Sequence, residues 1–239
     1  MPRRKDIDDI LADWSYQPDD VAARRVPATN AREVLQMRVD MGLLQMEVDG
    51  RPDGSRPHGA ITFFDYLRIL ADQQGEDFEL TPQQCFEADR EFVQFYHRRI
   101  CWLALREFEK AMRDADHTLS LMDFCRDHSP DEAWTMSHEQ YRPFVLFHRT
   151  QSATLRALEE EDAEAAIEAV NLGLIRLHEL CQELDDNELV TRLIELRESV
   201  REKFDVGRTL QEQLSDAIAS EQYELAARLR DKLADRRHR

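Results

Sequence analysis

Residues 209–235 read TLQEQLSDAIASEQYELAARLRDKLAD, from Thr209 to Asp235. Thr209 followed by Glu212 has the spacing of a capping box, in which each residue satisfies a backbone N–H of the other. Leu210, Leu214, Ala217 and Ile218 repeat at helical spacing and make one apolar stripe. Ser220-Glu221-Gln222 interrupts it. Tyr223, Ala226, Ala227, Arg230 and Leu233 then make a second stripe. The stretch predicts two short helices joined by a tight turn. Ala226-Ala227 permits close approach, with Ala227 expected at the contact and Tyr223 expected to plug the turn. A hairpin this small buries too little surface to stand alone and needs something to dock against.

The same grammar runs through most of the chain. The 239 residues contain only 7 Gly and 8 Pro, and 34% are charged. Charges interleaved with Leu, Ala and Met are the composition of helices rather than of a sandwich or barrel. Asn30 and Glu33 suggest a capped helix carrying Leu35, Val39, Leu43 and Met46, ended by Asp49-Gly50. A second helix is expected from about Ala60 to Gln74, with Phe64, Leu67, Leu70 and Ala71 inward and Gly75 closing it. Thr81-Pro82-Gln83-Gln84 opens a third. No Pro or Gly follows until Pro130, so a turn is expected near Arg106-Glu107. Ser129-Pro130-Asp131-Glu132 restarts the pattern, and Pro143 kinks or restarts it again. Later helices are expected over Ala163–Leu184 and Glu188–Phe204, with Val206-Gly207 as a hinge.

The expected fold is therefore all-α: a repeat-like array of helical hairpins with a two-helix hairpin at the C-terminal end. It divides into an arm (1–28), a two-helix region with a Gly/Pro loop (29–80), a helical body (81–205) and the hairpin (206–239). Ile7, Ile10, Leu11 and Trp14 give the arm one apolar stripe, read either as packing on the body or as a peptide for a partner. Aligned at Ala111 and Ala166, two stretches of the body each read helix, short acidic turn, helix. They resemble the tetratricopeptide hairpin, with Phe108 and Ala111 in its aromatic and alanine places. Ala163 replaces the aromatic in the second copy, and 55 residues separate copies that contiguous repeats would place roughly 34 apart. No ligand residues follow from that likeness.

The hairpin carries a more specific resemblance. Tyr223, Glu224, Ala226, Ala227, Arg230 and Asp231 match the aromatic-Glu-x-Ala-Ala-x-x-Arg-Asp signature of the UVR motif. That motif is the helical hairpin near the C-terminus of the excision-nuclease subunit UvrB and within UvrC. Tyr stands where Phe is more usual, and Leu214 where Met is common. The resemblance implies a protein–protein docking element using Leu214, Ile218, Tyr223, Glu224, Ala226, Ala227, Arg230 and Asp231. Its occupant would be a partner protein or a second copy of the chain. The motif also occurs in ClpC-type chaperones and in McsA, an activator of a protein arginine kinase, whose zinc-binding Cys pairs are absent here. The expected function is a non-enzymatic adaptor. The alternatives are an accessory of nucleotide excision repair, touching DNA through its partner, or a regulator of a kinase or Clp-type protease.

Net charge is -17, and residues 206–239 are +1, which leaves -18 on residues 1–205. Such a surface repels nucleic acid, so no direct binding is expected. Arg236-Arg237-His238-Arg239 is too small a basic tail to reverse that. No window reaches the roughly 18 apolar residues of a membrane span, and no apolar run follows the basic start, so a cytoplasmic protein is expected. Cys85, Cys101, Cys125 and Cys181 include no C-x-x-C and read as reduced, buried thiols. His97/Cys101, Cys125/His128 and His178/Cys181 have helix-neighbour spacing, but no H-E-x-x-H or E-x-x-H accompanies them. No catalytic residue, metal or cofactor is expected. The loop Gly50–Gly59, with Arg51, Arg56 and His58, is either ordinary punctuation or an anion or partner contact. The acidic runs at 159–162 and 185–188 read as solvated turns.

Overall fold

The computed structural model describes residues 7–28, 31–180 and 188–237. The chain divides into two compact units, residues 1–149 and 150–239. Both are built mainly of helices, and the first also carries one small sheet.

In the first unit, α1 (Asp8–Leu11) leads to an antiparallel meander of β1 (Ala23–Pro27), β2 (Glu33–Val39) and β3 (Gly42–Glu47). The sheet corrects two expectations: β1 lies in the residues read as an arm, and β2 and β3 occupy those read as a helix. Asn30, the expected cap, lies outside the described residues. Leu35, Val39, Leu43 and Met46 do fall at helical spacing. Yet Leu35-Met37-Val39 and Leu44-Met46-Val48 each alternate, and Asp40-Met41 turns between the paired Val39 and Gly42. The Arg38 guanidinium stabilises that turn by donating to the carbonyls of Val39, Asp40 (3.2 Å) and Gly42 (2.8 Å), and to that of Trp14 (2.9 Å). Trp14 packs under the Arg24 guanidinium, 4.0 Å away, so the arm lies on the sheet.

Helices α2 (Phe63–Gln74), α3 (Pro82–Ala104), α4 (Phe108–Asp127) and α5 (Glu132–Glu139) follow. Thr62 with Asp65, and Thr81 with Gln84, form capping boxes, while Asp131 caps α5. The turn after α3 falls at Arg106-Glu107, as expected. One apolar layer joins Phe63 and Leu67 of α2 to Phe92, Leu121 and Val145. A second packs Leu35 and Met46 of the sheet on Trp102 and Ala111. Cys85 and Cys125 lie in the first layer and Cys101 in the second, all buried and free. Burial raises the pKa of all three thiols, that of Cys101 to about 12. Cys181 lies outside the described residues.

Between the layers runs a line of buried charge. Arg98 donates from Nε and Nη2 to the two carboxylate oxygens of Asp114, at 2.7 and 2.8 Å. Its Nη1 donates to the carbonyls of Glu47 (3.1 Å) and Gly50 (2.8 Å), and the Trp102 indole completes Asp114 at 3.1 Å. Two turns earlier, Glu91 accepts from the backbone N–H groups of Phe63 (2.7 Å) and Phe64 (3.0 Å), at the N-terminus of α2. Glu91 also meets Arg51 at 3.2 Å and His117 at 3.0 Å. Arg51 of the Gly/Pro loop is thus buried, with Glu87 as a further partner at 3.1 Å. The residue after Arg98, Arg99, donates to Thr118 Oγ1 at 3.1 Å and His148 Nδ1 at 3.3 Å.

In the second unit, α6 (Arg142–Glu159, begun in the first) continues into α7 (Ala163–Leu180), α8 (Glu188–Phe204), α9 (Leu210–Ala219) and α10 (Tyr223–Arg237). Ala157, Ala166, Ile167 and Val200 form its core. Gly173 sits in the middle of α7 because a Cβ there would come within 2.3 Å of the Thr150 side chain. The expected break at 185–187 lies outside the described residues.

Two consequences are measurable. Asp114→Ala leaves the Arg98 guanidinium buried without its counter-charge, and urea titration should show a loss of about 3–5 kcal/mol. His148 is held neutral, its pKa lowered to about 3 by burial and by the Arg99 charge. In the unfolded chain it titrates near ~6.5. Between those values the unfolded chain binds the extra proton, so stability rises with pH there and is lost on acidification. Unfolding free energies between neutral pH and about pH 5 should fall by roughly 1–2 kcal/mol. His148→Gln should flatten that slope.

Candidate partner-docking site

The C-terminal hairpin forms as its sequence dictates. Thr209 and Glu212 make the expected capping box. The α9 helix ends in a left-handed residue, Glu221 (φ 57°), and the N–H of Gln222 returns to the carbonyl of Ala217 at 2.7 Å. Ala217, Ala226 and Leu229 are buried against one another, with Leu210 and Leu214 alongside. Two alanines facing each other set the close approach of the helices.

The turn recurs in the body. Arg106 and Glu161 are also left-handed, each at φ 60°. The N–H of Glu107 bonds the carbonyl of Trp102, and that of Asp162 bonds Ala157, both at 2.9 Å. Nine residues beyond each of these acceptors sits a buried alanine: Ala111, Ala166 and Ala226. The alignment of Ala111 with Ala166 therefore extends to a third copy, the hairpin itself. The signal was legible as x-Glu-x-Ala opening α4, α7 and α10, from Phe108, Ala163 and Tyr223.

The eight residues assigned to docking fall into two groups. Leu214 is half-buried, Ala226 buried and Ala227 half-buried, so they hold the hairpin together. Ile218, Tyr223, Glu224, Arg230 and Asp231 are exposed. Tyr223 does not plug the turn. It is 70% exposed, whereas Phe108, the first residue of α4 after the same turn, is buried at 4%. Ile218 is 55% exposed and leaves the buried stripe of α9, and in α10 Leu229 rather than Arg230 is buried. Ala226, not Ala227, is the alanine buried in the helix contact. Ile218, Tyr223 and Leu225 thus form an apolar edge at the turn end. Arg230 and Asp231 pair with each other at 3.3 Å on the exposed side of α10.

The opposite end is anchored. Glu212 accepts from the Thr209 N–H (2.8 Å) and the Asn171 amide (2.9 Å), and pairs with Arg201. Burial disfavours the Glu212 carboxylate, but these donors together hold its pKa below the usual range. The Leu210 N–H also donates to Glu164 of α7 at 3.2 Å. The hairpin is therefore tethered at Thr209–Glu212 and open at 218–225.

The two His/Cys pairs that lie wholly among the described residues do not converge on a metal site. Cys101 is fully buried, His128 faces the Phe78 carbonyl at 3.1 Å, and Cys181 is outside the described residues. Among the described residues no three His, Cys, Asp or Glu side chains group as a metal site. Nor is any helix among them long and apolar enough to cross a membrane.

Ala226→Glu forces a longer, charged side chain into the helix contact, at roughly 1–3 kcal/mol for overpacking alone. Hydrogen exchange should show α9 and α10 losing protection while α2–α4 keep theirs. Ala227→Glu, at a half-buried position, should cost much less.

No curated protein and no solved structure matches the chain. A family model does match over the residues of this hairpin: residues 208–235 are a UVR, or UvrB/uvrC, motif.

Proposed function

We propose that the chain is a non-enzymatic adaptor that docks a protein partner through its UVR hairpin. One observation carries this reading: the matched motif coincides with a hairpin tethered at one end and apolar at the other. Tyr223 brings a large, stiff side chain of the kind that dominates interface energetics. Ile218 and Leu225 flank it. Burying such a set on a partner is favourable by roughly 25 cal/mol per Å² of apolar area. Glu224, Arg230 and Asp231 border the edge with charges of both signs, which favours selectivity over raw affinity. The net charge of -17 supports a protein partner rather than nucleic acid.

The test uses the full chain. Photocrosslinker placed at Leu225 should trap one protein, or a second copy of the chain, and purified components should then bind directly. Ile218→Ser with Tyr223→Ser should weaken that binding at least about tenfold, the loss of roughly 1.4 kcal/mol. Circular dichroism should be unchanged. Undiminished binding by the double variant would remove the hairpin edge from the interaction and overturn the reading.

A further inference from the structure

The first unit contains a cleft of about 760 Å³, bounded by α3, α4, α5 and α6. Its volume lies in the ~300–1,000 Å³ range of small-molecule sites. Phe92, Val93, Tyr96, Met122, Tyr141 and Phe144 give it apolar walls. Its polar lining is Asp89, Thr118, Ser137, His138 and Arg99, and Arg99 is only 2% exposed.

Arg99 has neutral partners. Its Nη1 donates to Thr118, itself part of the cleft lining, and its Nε donates to the neutral His148 ring. Among the described residues it makes no ion pair. Asp114, whose charge it feels, is saturated by Arg98 and Trp102. Asp89 at the cleft is 3.0 Å from His138 and accepts from the Trp134 indole at 2.9 Å, so it is engaged elsewhere. Burial lowers the Arg99 pKa to about 10, which leaves it charged at neutral pH. A buried cation with only neutral partners is costly, and an incoming anion would offset that cost.

We propose that this cleft binds a small amphipathic carboxylate, its head group on Arg99 and Thr118 and its apolar body along the aromatic walls. A lone guanidinium matches a carboxylate's single charge and bidentate geometry. The apolar walls select against small polar anions, and Arg99 against cations.

The probe is dodecanoate below its micellar concentration, titrated into the full chain. Trp134 fluorescence is the readout, since its ring lies 4.9 Å from the His138 ring at the cleft. Dodecan-1-ol and dodecyltrimethylammonium serve as comparisons. Dodecanoate should saturate at one per chain, the alcohol should bind at least about tenfold more weakly, and the cation not at all. Arg99→Gln should weaken dodecanoate at least about tenfold and leave the alcohol unchanged. Val93→Trp fills the cleft from a half-exposed position and should abolish dodecanoate binding with circular dichroism intact. This second variant keeps the test decisive if Arg99→Gln does not fold. Equal binding of alcohol and carboxylate, no saturation, or retained binding by Val93→Trp would overturn the proposal. So would a change of oligomeric state in Val93→Trp combined with no dodecanoate binding by the unsubstituted chain, which would assign the cleft to a second copy of the chain.

Discussion

Asp114 and Arg98 close on each other through two hydrogen bonds inside the first unit, and the sheet hangs from that pair. Arg98 reaches past Asp114 to the carbonyls of Glu47 and Gly50, where β3 gives way to the loop. A three-stranded meander has little stability of its own. Here its end is held by a guanidinium whose geometry is fixed by a carboxylate and an indole. Glu91, seven residues before Arg98, does the corresponding work for α2 by receiving two N–H groups of its first turn and the Arg51 side chain. Buried charge is a weak source of net stability. Its effect here is to fix which loop and which helix end meet α3.

The helical hairpins of both units depend on a different device, a left-handed residue between two helices with an alanine beyond it. Turns at Arg106, Glu161 and Glu221 repeat the same hydrogen bonds. None uses glycine, although the left-handed region costs other residues roughly 1–2 kcal/mol. Acidic or basic side chains at these tips stay solvated and keep the hairpin ends polar. Only at the last do exposed apolar residues, Tyr223 two residues beyond the turn together with Ile218 and Leu225, make the tip apolar.

Much of this was legible because it is local. Thr62, Thr81, Asp131 and Thr209 announce their helices through a side chain and an N–H within three residues. The hairpin motif was legible for the same reason. The sheet was not, because Leu35, Val39, Leu43 and Met46 satisfy a 3.6-residue period as well as two alternating runs do. What decides between them is tertiary: Trp102 and Ala111 offer a flat face, and Arg98 receives the strand end. The exposure of Tyr223 was misread because a stripe fixes a direction around a helix but not what packs on that face: Phe108, at the same place in its own hairpin, is buried. Arg99 carried no sequence signal, since its neutral surroundings come from Thr118 and His148, on two other helices.

The three buried thiols have a use in observing the molecule. A thiol reacts with a disulfide reagent as its thiolate, and burial suppresses that form at Cys85, Cys101 and Cys125. Labelling must therefore wait for the surrounding layer to part. Cys85 and Cys125 sit in the layer beneath α2, and Cys101 at the seam of sheet and helix. The order in which they are captured is a native clock, telling which layer breathes first without a single introduced probe.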